Sequence, residues 1–148
     1  MALAPVLVAD DDQNQAYLTA RAFKAAGVRH PLALVPDGDA AIEYLEGKGR
    51  YADRAAHPLP CLLLLDQKLP GRSGLEVLEW VRSSSSVCTL PVLLFSASGF
   101  DSDVQTAYLL GANGYVVKPT TYEETLTVAR AINDYWLTFN RTPLPSPR

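Results

Sequence analysis

Three consecutive aspartates, Asp10 to Asp12, follow a short apolar run near the amino terminus in the stretch LVADDDQNQ. Two carboxylates about 5 Å apart repel each other by about 3 kcal/mol at an effective dielectric constant of about 20. A fold that fixes such a cluster therefore normally holds a cation beside it. The pattern by itself leaves open which cation this is and which of the three carboxylates bind it.

Three further polar side chains follow later apolar runs. Asp66 follows CLLLL, Ser96 follows PVLLF, and Lys118 follows YVV. Mg²⁺ prefers a few carboxylates plus water and phosphate oxygens to a closed protein cage. A hydroxyl and an ammonium group beside a central carboxylate would bind the oxygens of a phosphoryl group. The set therefore predicts phosphoryl transfer to Asp66, with Mg²⁺ to neutralise the charge.

The elements that must bring these residues together follow from the apolar pattern. Short, continuously apolar runs are typical of parallel strands that are covered on both faces. Five such runs are Pro5 to Ala9, Leu32 to Val35, Cys61 to Leu65, Pro91 to Phe95 and Tyr115 to Val117. Helical segments alternate with them, which predicts a doubly wound parallel α/β sheet with right-handed crossovers. In such a sheet the residues that follow the strands gather at one edge, where ligands bind.

The first helix is predicted from residues 14 to 26, with Tyr17, Leu18 and Phe23 on its inward face. Asp12 stands just before this helix, where an aspartate commonly caps the free backbone N–H groups. A capping role and a metal-binding role therefore both stay open for Asp12. Any of the other strand-end residues taken alone could also be a cap or a surface charge, and only their joint occurrence at the ends of several strands favours a site.

Length and composition are typical of one globular domain of 148 residues. We predict this domain over residues 1–140 and a flexible, proline-rich tail over 141–148. The net charge of −3 offers no attraction to nucleic acid or to an anionic membrane. The chain has no basic leader and no apolar run of about 20 residues, so neither a signal peptide nor a membrane span is predicted. Cys61 and Cys88 are predicted to be buried free thiols, and the location to be cytoplasmic.

Four segments resemble, in order and spacing, the signature blocks of the receiver domain of two-component response regulators. They are VLVADDD, LLLLDQKLPGRSGLEVL, PVLLFSAS and GANGYVVKP. The resemblance implies a flavodoxin-like (βα)5 fold with strand order 2-1-3-4-5. It also implies that a sensor histidine kinase donates a phosphoryl group from a phosphohistidine, and that the receiver catalyses the transfer itself.

The same resemblance implies which residues bind the metal and the phosphoryl group. Asp66 is the phosphoacceptor. Mg²⁺ is held by Asp11, by Asp66 and by the backbone carbonyl of Lys68, while Asp10 acts largely through water. Asp12 falls outside this set.

Further residues are implied to respond to the phosphoryl group. Ser96 is the switch hydroxyl, Lys118 binds the phosphoryl oxygens, and Tyr115 is the aromatic switch. Lys68 and Ser98 occupy positions that tune dephosphorylation. Phosphorylation is then expected to change the surface formed by the fourth helix, the fifth strand and the fifth helix.

A narrower resemblance is to the single-domain regulators that accompany bacteriophytochrome-type kinases. It rests on the long connection GKGRYADRAAHPLP and the ending AINDYWLTFNRTPLP. It implies a kinase of that type as a partner and a homodimer through the surface just described. The sequence leaves open whether the protein is a final effector or passes the phosphoryl group on to a histidine phosphotransfer protein. Trp136 and Phe139 either leave an apolar patch for such a partner or pack on their own domain.

The alternative hypothesis is a Mg²⁺-dependent phosphatase or other hydrolase with an aspartate nucleophile. Such an enzyme would favour a second acid two positions after the nucleophile, to protonate the leaving group. Gln67 and Lys68 follow Asp66 here, and a lysine does not supply a carboxyl acid. The sequence therefore favours a phosphoacceptor signalling protein over an enzyme that turns over a substrate.

Overall fold

The computed structural model describes residues 3–143 and alternates strands with helices throughout that range. In chain order the elements are β1 (Val6–Ala9), α1 (Gln13–Ala25), β2 (Leu32–Val35), α2 (Gly38–Glu46), β3 (Leu62–Asp66), α3 (Gly74–Ser83), β4 (Val92–Ser96), α4 (Asp101–Leu109), β5 (Gly114–Val117) and α5 (Tyr122–Asp134). A 3₁₀ turn (Gly49–Tyr51) follows α2, and a π-helical segment (Tyr135–Phe139) continues α5. Most of the predicted tail, residues 144–148, lies outside the described residues.

The strands form a parallel sheet in the order β2-β1-β3-β4-β5, which confirms the predicted topology. Ala9 pairs with Leu65, so the residues that follow β1 stand beside the end of β3. Because all strands run in the same direction, their carboxyl ends meet at one edge of the sheet. The chain leaves β1 toward β2 on one side and returns to β3 on the other, which opens a crevice at that edge.

Apolar side chains on both faces of the sheet hold the strands in place. On β3, Leu63 and Leu65 pack into the cluster formed with α2 and α3, whereas Leu62 and Leu64 pack into the cluster formed with α1 and α5. Successive strand side chains point to opposite faces. A strand that is covered on both faces must therefore be apolar without interruption, as the runs predicted.

The predicted inward face of α1 is partly wrong. Phe23 is 2% exposed as expected, but Tyr17 is 63% exposed and Leu18 is 36% exposed. The buried face instead carries Ala16 and Ala22 beside Phe23. Ala16 lies seven residues, or about two turns, before Phe23 and so shares its face. Two alanines and Phe23 occupy the buried face of the helix, while Tyr17 and Leu18 face outward.

The two cysteines are free, as predicted, but they are not both buried. Cys61 is partly buried directly before β3, and Cys88 is exposed in the turn before β4. Val87 and Leu90 fill the inner side of that turn, which leaves Cys88 facing solvent. Among the described helices, none combines the length and the apolar character needed to cross a bilayer.

The end of α5 divides its apolar residues between the core and the surface. Trp136 and Leu137 pack against the cluster formed with α1, whereas Tyr135 and Phe139 are exposed. Trp136 therefore packs on its own domain, whereas Phe139 stays on the surface.

Candidate functional site

Three carboxylates meet at the carboxyl edge of the sheet. Asp10 and Asp11 directly follow β1, and Asp66 is the last residue of the neighbouring strand β3. One oxygen from each lies within 4.8 Å of the other two. Asp66 is buried, Asp10 is partly buried and Asp11 is exposed. Mg²⁺ suits such a site, because it binds a few carboxylates and keeps several of its waters.

Burial raises the pKa of the Asp10 carboxyl. The backbone N–H of Asp12, at 2.9 Å, and the Lys118 ammonium lower this pKa, while the carboxylates of Asp66 and Asp11 raise it. A raised pKa means that the folded protein disfavours the negative charge at this position. In the metal-free protein this cost in folding stability is absent when the pH is below the ordinary pKa of an aspartate. It is fully present when the pH is above the raised pKa. A divalent cation would relieve it.

Asp12 caps the first helix and does not join the cluster described above. Its carboxylate accepts hydrogen bonds from the backbone N–H groups of Asn14 at 3.0 Å and Gln15 at 3.1 Å. These N–H groups belong to the first turn of α1 and have no partner within the helix. Of the two roles left open for Asp12, the structure therefore shows the capping role.

Substituting Asp11 by alanine should weaken Mg²⁺ binding about tenfold or more, because it removes a charged oxygen from the cluster. Asp12→Ala should leave the Mg²⁺ affinity nearly unchanged and lower the free energy of unfolding by about 1 kcal/mol, the cost of a lost N-cap. Calorimetric Mg²⁺ titration and urea unfolding of both variants measure the two effects. The opposite pattern would place the metal one residue further along the chain.

The basic side of the site is an ion pair. The Lys118 Nζ lies 2.7 Å from Asp66 Oδ2, and the Lys68 backbone N–H donates to Asp66 Oδ1 at 3.1 Å. Lys118 is in turn held by a backbone hydrogen bond, at 2.7 Å, from its N–H to the carbonyl of Ser96. Both carboxylate oxygens of Asp66 are thus engaged, which fixes the orientation of the carboxylate.

The hydroxyl side of the site lies at the end of β4. Ser96 is buried, and its Oγ accepts a hydrogen bond from the Ser98 N–H at 3.1 Å. The partly buried Tyr115 donates its hydroxyl to the Ser98 carbonyl at 2.8 Å, and the Gln67 side-chain amide lies 3.2 Å from the same hydroxyl. A phenol has only one proton to donate, and here it goes to the Ser98 carbonyl. The contact with Gln67 is then a hydrogen bond when the amide NH₂ donates to the phenol oxygen. Gln67 therefore links the residue after Asp66 to Tyr115.

The sequence profile of the response regulator receiver domain matches residues 6–130 of this chain. The chain belongs to this family. Receiver domains work with sensor histidine kinases in two-component signalling, and aspartate phosphorylation is typical of them. They bind Mg²⁺ or Mn²⁺ at an acidic pocket of the kind formed here by Asp10, Asp11 and Asp66. The molecule is therefore a signalling protein of the response regulator class.

Known receivers resemble this chain over nearly its whole length. The probable methanogenesis regulatory protein FilR2 of Methanothrix harundinacea is 35% identical over 144 residues, which cover 95% of this chain and 88% of that protein. The crystal structure of response regulator RPA3017 in red light signaling of R. palustris matches with a TM-score of 0.90 and 30% identity, covering 95% and 99% of the two chains. The phosphorylated cyanobacterial phytochrome response regulator RcpA matches with a TM-score of 0.87 and 29% identity, covering 96% and 99%.

Lys68 and Ser98, the receiver positions expected to tune dephosphorylation, lie on two different loops. The Lys68 side chain is exposed just after β3, while its backbone N–H contacts Asp66. Ser98 lies between β4 and α4, and its hydroxyl donates to the Asp103 carboxylate. Sequence reasoning missed the roles of Asp103 and Gln67, because both act through contacts that only the fold creates.

Sequence reasoning also missed the requirement for glycine at position 74, the first residue of α3. A Cβ atom at this position would lie 2.2 Å from the backbone oxygen of Asp66. The Gly74 N–H donates to the Gln67 carbonyl at 2.9 Å, so α3 begins directly against the loop that follows Asp66. Gly74 is the second glycine of the segment PGRSG, but the sequence does not show why a glycine is required there. The requirement comes from this close approach to the Asp66 backbone.

Proposed function

We propose that this receiver accepts a phosphoryl group on Asp66 from the phosphohistidine of a sensor histidine kinase, and that it catalyses this transfer itself. The observation that carries the proposal is the position of Asp66, whose carboxylate lies between the acidic residues Asp10 and Asp11 and the Lys118 ammonium. A buried carboxylate with a cation-binding cluster on one side and a fixed cation on the other suits the attack on phosphorus.

Asp11, Asp66 and the Lys68 backbone carbonyl would hold Mg²⁺, with Asp10 acting largely through water, and the bound metal would supply positive charge that offsets the charge of the donor phosphate. An Asp66 oxygen attacks phosphorus in line with the P–N bond, which breaks and leaves its electron pair on the histidine nitrogen. Lys118 then transfers its hydrogen bond from Asp66 Oδ2 to a phosphoryl oxygen. Ser96, the buried hydroxyl at the end of β4, donates to another phosphoryl oxygen. Hydrolysis of the acyl phosphate by water later returns Asp66 to a carboxylate.

Incubating the protein with acetyl phosphate and Mg²⁺ should add one phosphoryl group, which intact-protein mass spectrometry detects. Chelation of the metal with EDTA should prevent the labelling, because the donor would then meet the uncompensated carboxylates of the site. Steady turnover of p-nitrophenyl phosphate without an accumulated phosphoprotein would contradict the proposal and support the aspartate-nucleophile hydrolase instead.

We propose that the phosphoryl group comes from a bacteriophytochrome-type histidine kinase, and that this receiver acts in the cytoplasm. The support is the likeness to RPA3017, a response regulator in red light signaling, and to RcpA, a phytochrome response regulator. Phosphotransfer from a phosphorylated kinase of that type tests the partner. A receiver that is labelled by acetyl phosphate but not by this kinase would exclude the partner and leave the site assignment intact. A histidine phosphotransfer protein is the corresponding candidate for onward transfer of the phosphoryl group.

We further propose a homodimer through the face formed by α4, β5 and α5. Leu109 and Val117 expose apolar side chains on α4 and β5, and so do Phe100, just before α4, and Phe139, in the π-helical segment that continues α5. Exposed apolar surface is commonly an interaction site. Leu109→Lys should shift sedimentation toward the monomer, whereas Leu34→Lys, which changes an exposed leucine on the opposite edge strand, should not. If the two variants sedimented alike, the assignment of the dimer interface to this face would be wrong.

A further inference from the structure

A cavity of about 490 Å³ lies at the amino-terminal edge of the sheet, opposite the edge that carries the acidic site. On the sheet side it is lined by His30, two residues before β2, and by Cys61, directly before β3. On the helix side it is lined by Trp136 and Leu137 of the π-helical segment, and residues 140–142 line the rest. Pockets for small molecules usually measure about 300–1,000 Å³, so this volume suits a small organic ligand.

The helix end that borders this cavity has an uncommon geometry. The Asn140 N–H donates to the Tyr135 carbonyl, five residues earlier, at 2.6 Å, and the chain then continues in extended backbone. The Tyr135 ring packs edge-on against the Trp136 indole, with 5.2 Å between the ring centres. π-Helical turns are rare and frequently lie at functional sites. Here the turn holds the partly buried Trp136 at the border of the cavity.

The polar side chains of the cavity favour an anionic ligand. Arg141 contributes a guanidinium group, which stays charged and matches the geometry of a carboxylate. The His30 ring is held by its Nδ1, which lies 2.8 Å from the Ala4 carbonyl oxygen. Among the described residues that line the cavity, none is acidic. The indole of Trp136 offers a flat apolar surface on which an aromatic ring can pack.

We propose that this cavity binds a small aromatic carboxylate, with its carboxylate on the Arg141 guanidinium and its ring against the Trp136 indole. The charge of the lining selects the carboxylate, and the indole selects a flat ring. The cavity and Asp66 lie at opposite edges of the sheet, so the inference goes beyond the proposed function and does not depend on it. Binding requires neither Mg²⁺ nor phosphorylation.

The first test uses the fluorescence of Trp136. The chain has two tryptophans, and Trp80 packs into the cluster formed with α2 and α3, on the other face of the sheet. In the variant Trp80→Phe, 4-nitrobenzoate should quench the remaining tryptophan in a saturable way, because its nitroaromatic ring quenches a neighbouring indole. A ligand of this size should bind with a dissociation constant on the order of 1 mM. 4-Nitrobenzyl alcohol, which has the same ring without the charge, should bind about 2- to 5-fold more weakly.

The second test uses the two thiols of the chain. Cys61 lines the cavity, whereas Cys88 is exposed in the turn before β4 and does not line it. Bound 4-nitrobenzoate should slow the alkylation of Cys61 by iodoacetamide in proportion to the occupied fraction of the cavity. Alkylation of Cys88 in the same sample should keep its rate. Peptide mass spectrometry measures both rates in the wild-type protein.

Arg141→Gln should weaken the binding of 4-nitrobenzoate by about 2- to 5-fold, the range of a solvent-exposed charge pair. Arg130→Gln is the matched control, because Arg130 carries the same charge at an exposed position of α5 and does not line the cavity. Its affinity should equal that of the wild type. Equal weakening in both variants would mean that only the net charge matters, and would overturn the inference.

Quenching that does not saturate would also overturn the inference, and so would equal protection of Cys61 and Cys88. Slower alkylation of Cys61 at higher protein concentration, without any probe, would assign the cavity to a second copy of the chain instead. All variants change side chains on the surface or replace one aromatic ring by another, and urea unfolding verifies that each is folded.

Discussion

Asp66→Asn should abolish labelling of the receiver by acetyl phosphate and Mg²⁺ while leaving the protein folded. The substitution is nearly isosteric, so the packing around this buried residue at the end of β3 is retained. The amide is not a nucleophile toward phosphorus, however, and it removes one of the three negative charges that would hold the cation. Intact-protein mass spectrometry should show one added phosphoryl group on the wild type and none on the variant.

Asp53→Asn is the control for this experiment. Asp53 is an exposed aspartate in the connection between α2 and β3, and its carboxylate accepts a backbone hydrogen bond that an asparagine also accepts. This variant carries the same change in net charge and should be labelled like the wild type. Labelling that persists in Asp66→Asn would show that another side chain accepts the phosphoryl group. Loss of labelling in both variants would point to a general effect of charge.

Gly74→Ala should lower the free energy of unfolding by about 3 kcal/mol, the upper part of the usual range for overpacking. The added Cβ would lie 2.2 Å from the Asp66 backbone oxygen and 2.8 Å from the Gln67 Cα. Both neighbours are backbone atoms, and the start of α3 is held by the reciprocal capping box of Ser73 and Glu76, so neither side can move away easily. The loop after β3 must shift instead, and labelling of Asp66 should slow by about tenfold or more because its carboxylate loses its orientation.

Urea unfolding and the labelling rate with acetyl phosphate measure these two effects. Gly99→Ala is the matched control for stability, because a Cβ at Gly99 would meet Val117 at 3.4 Å, an ordinary contact with a flexible side chain. This control should change the free energy of unfolding by less than about 1 kcal/mol. A Gly74→Ala protein as stable as the wild type would mean that the backbone at this point has more freedom than the close contact indicates.

Contacts that run outward from Asp66 suggest how a change there would reach the surface. Gln67, the next residue, contacts Tyr115 on β5, and Tyr115 contacts the Ser98 carbonyl. Ser98 in turn contacts Asp103 in the first turn of α4. The face proposed for the homodimer is built from the same helix and strand. A phosphoryl group that moved Ser96 would therefore act on α4 through hydrogen bonds already present in the structure.

The amino-acid sequence by itself determined the fold class and the set of candidate site residues. The five apolar runs identified the strands because burial on both faces excludes polar residues from them. The polar residues at the ends of those runs, above all Asp66 and Lys118, could be predicted to converge because parallel strands bring their carboxyl ends to one edge.

Only the tertiary structure decided the features that depend on approach between distant parts of the chain. The helix-capping role of Asp12 was decided by the start of α1, which brings the N–H groups of Asn14 and Gln15 to its carboxylate. Tyr17 and Leu18 were placed outside because the face of a helix is set by what it packs against, and hydropathy does not report that. The hydrogen bonds of Gln67 and Asp103 were invisible for the same reason. A sequence pattern records which residues belong to an element, whereas a contact requires the position of a second element as well.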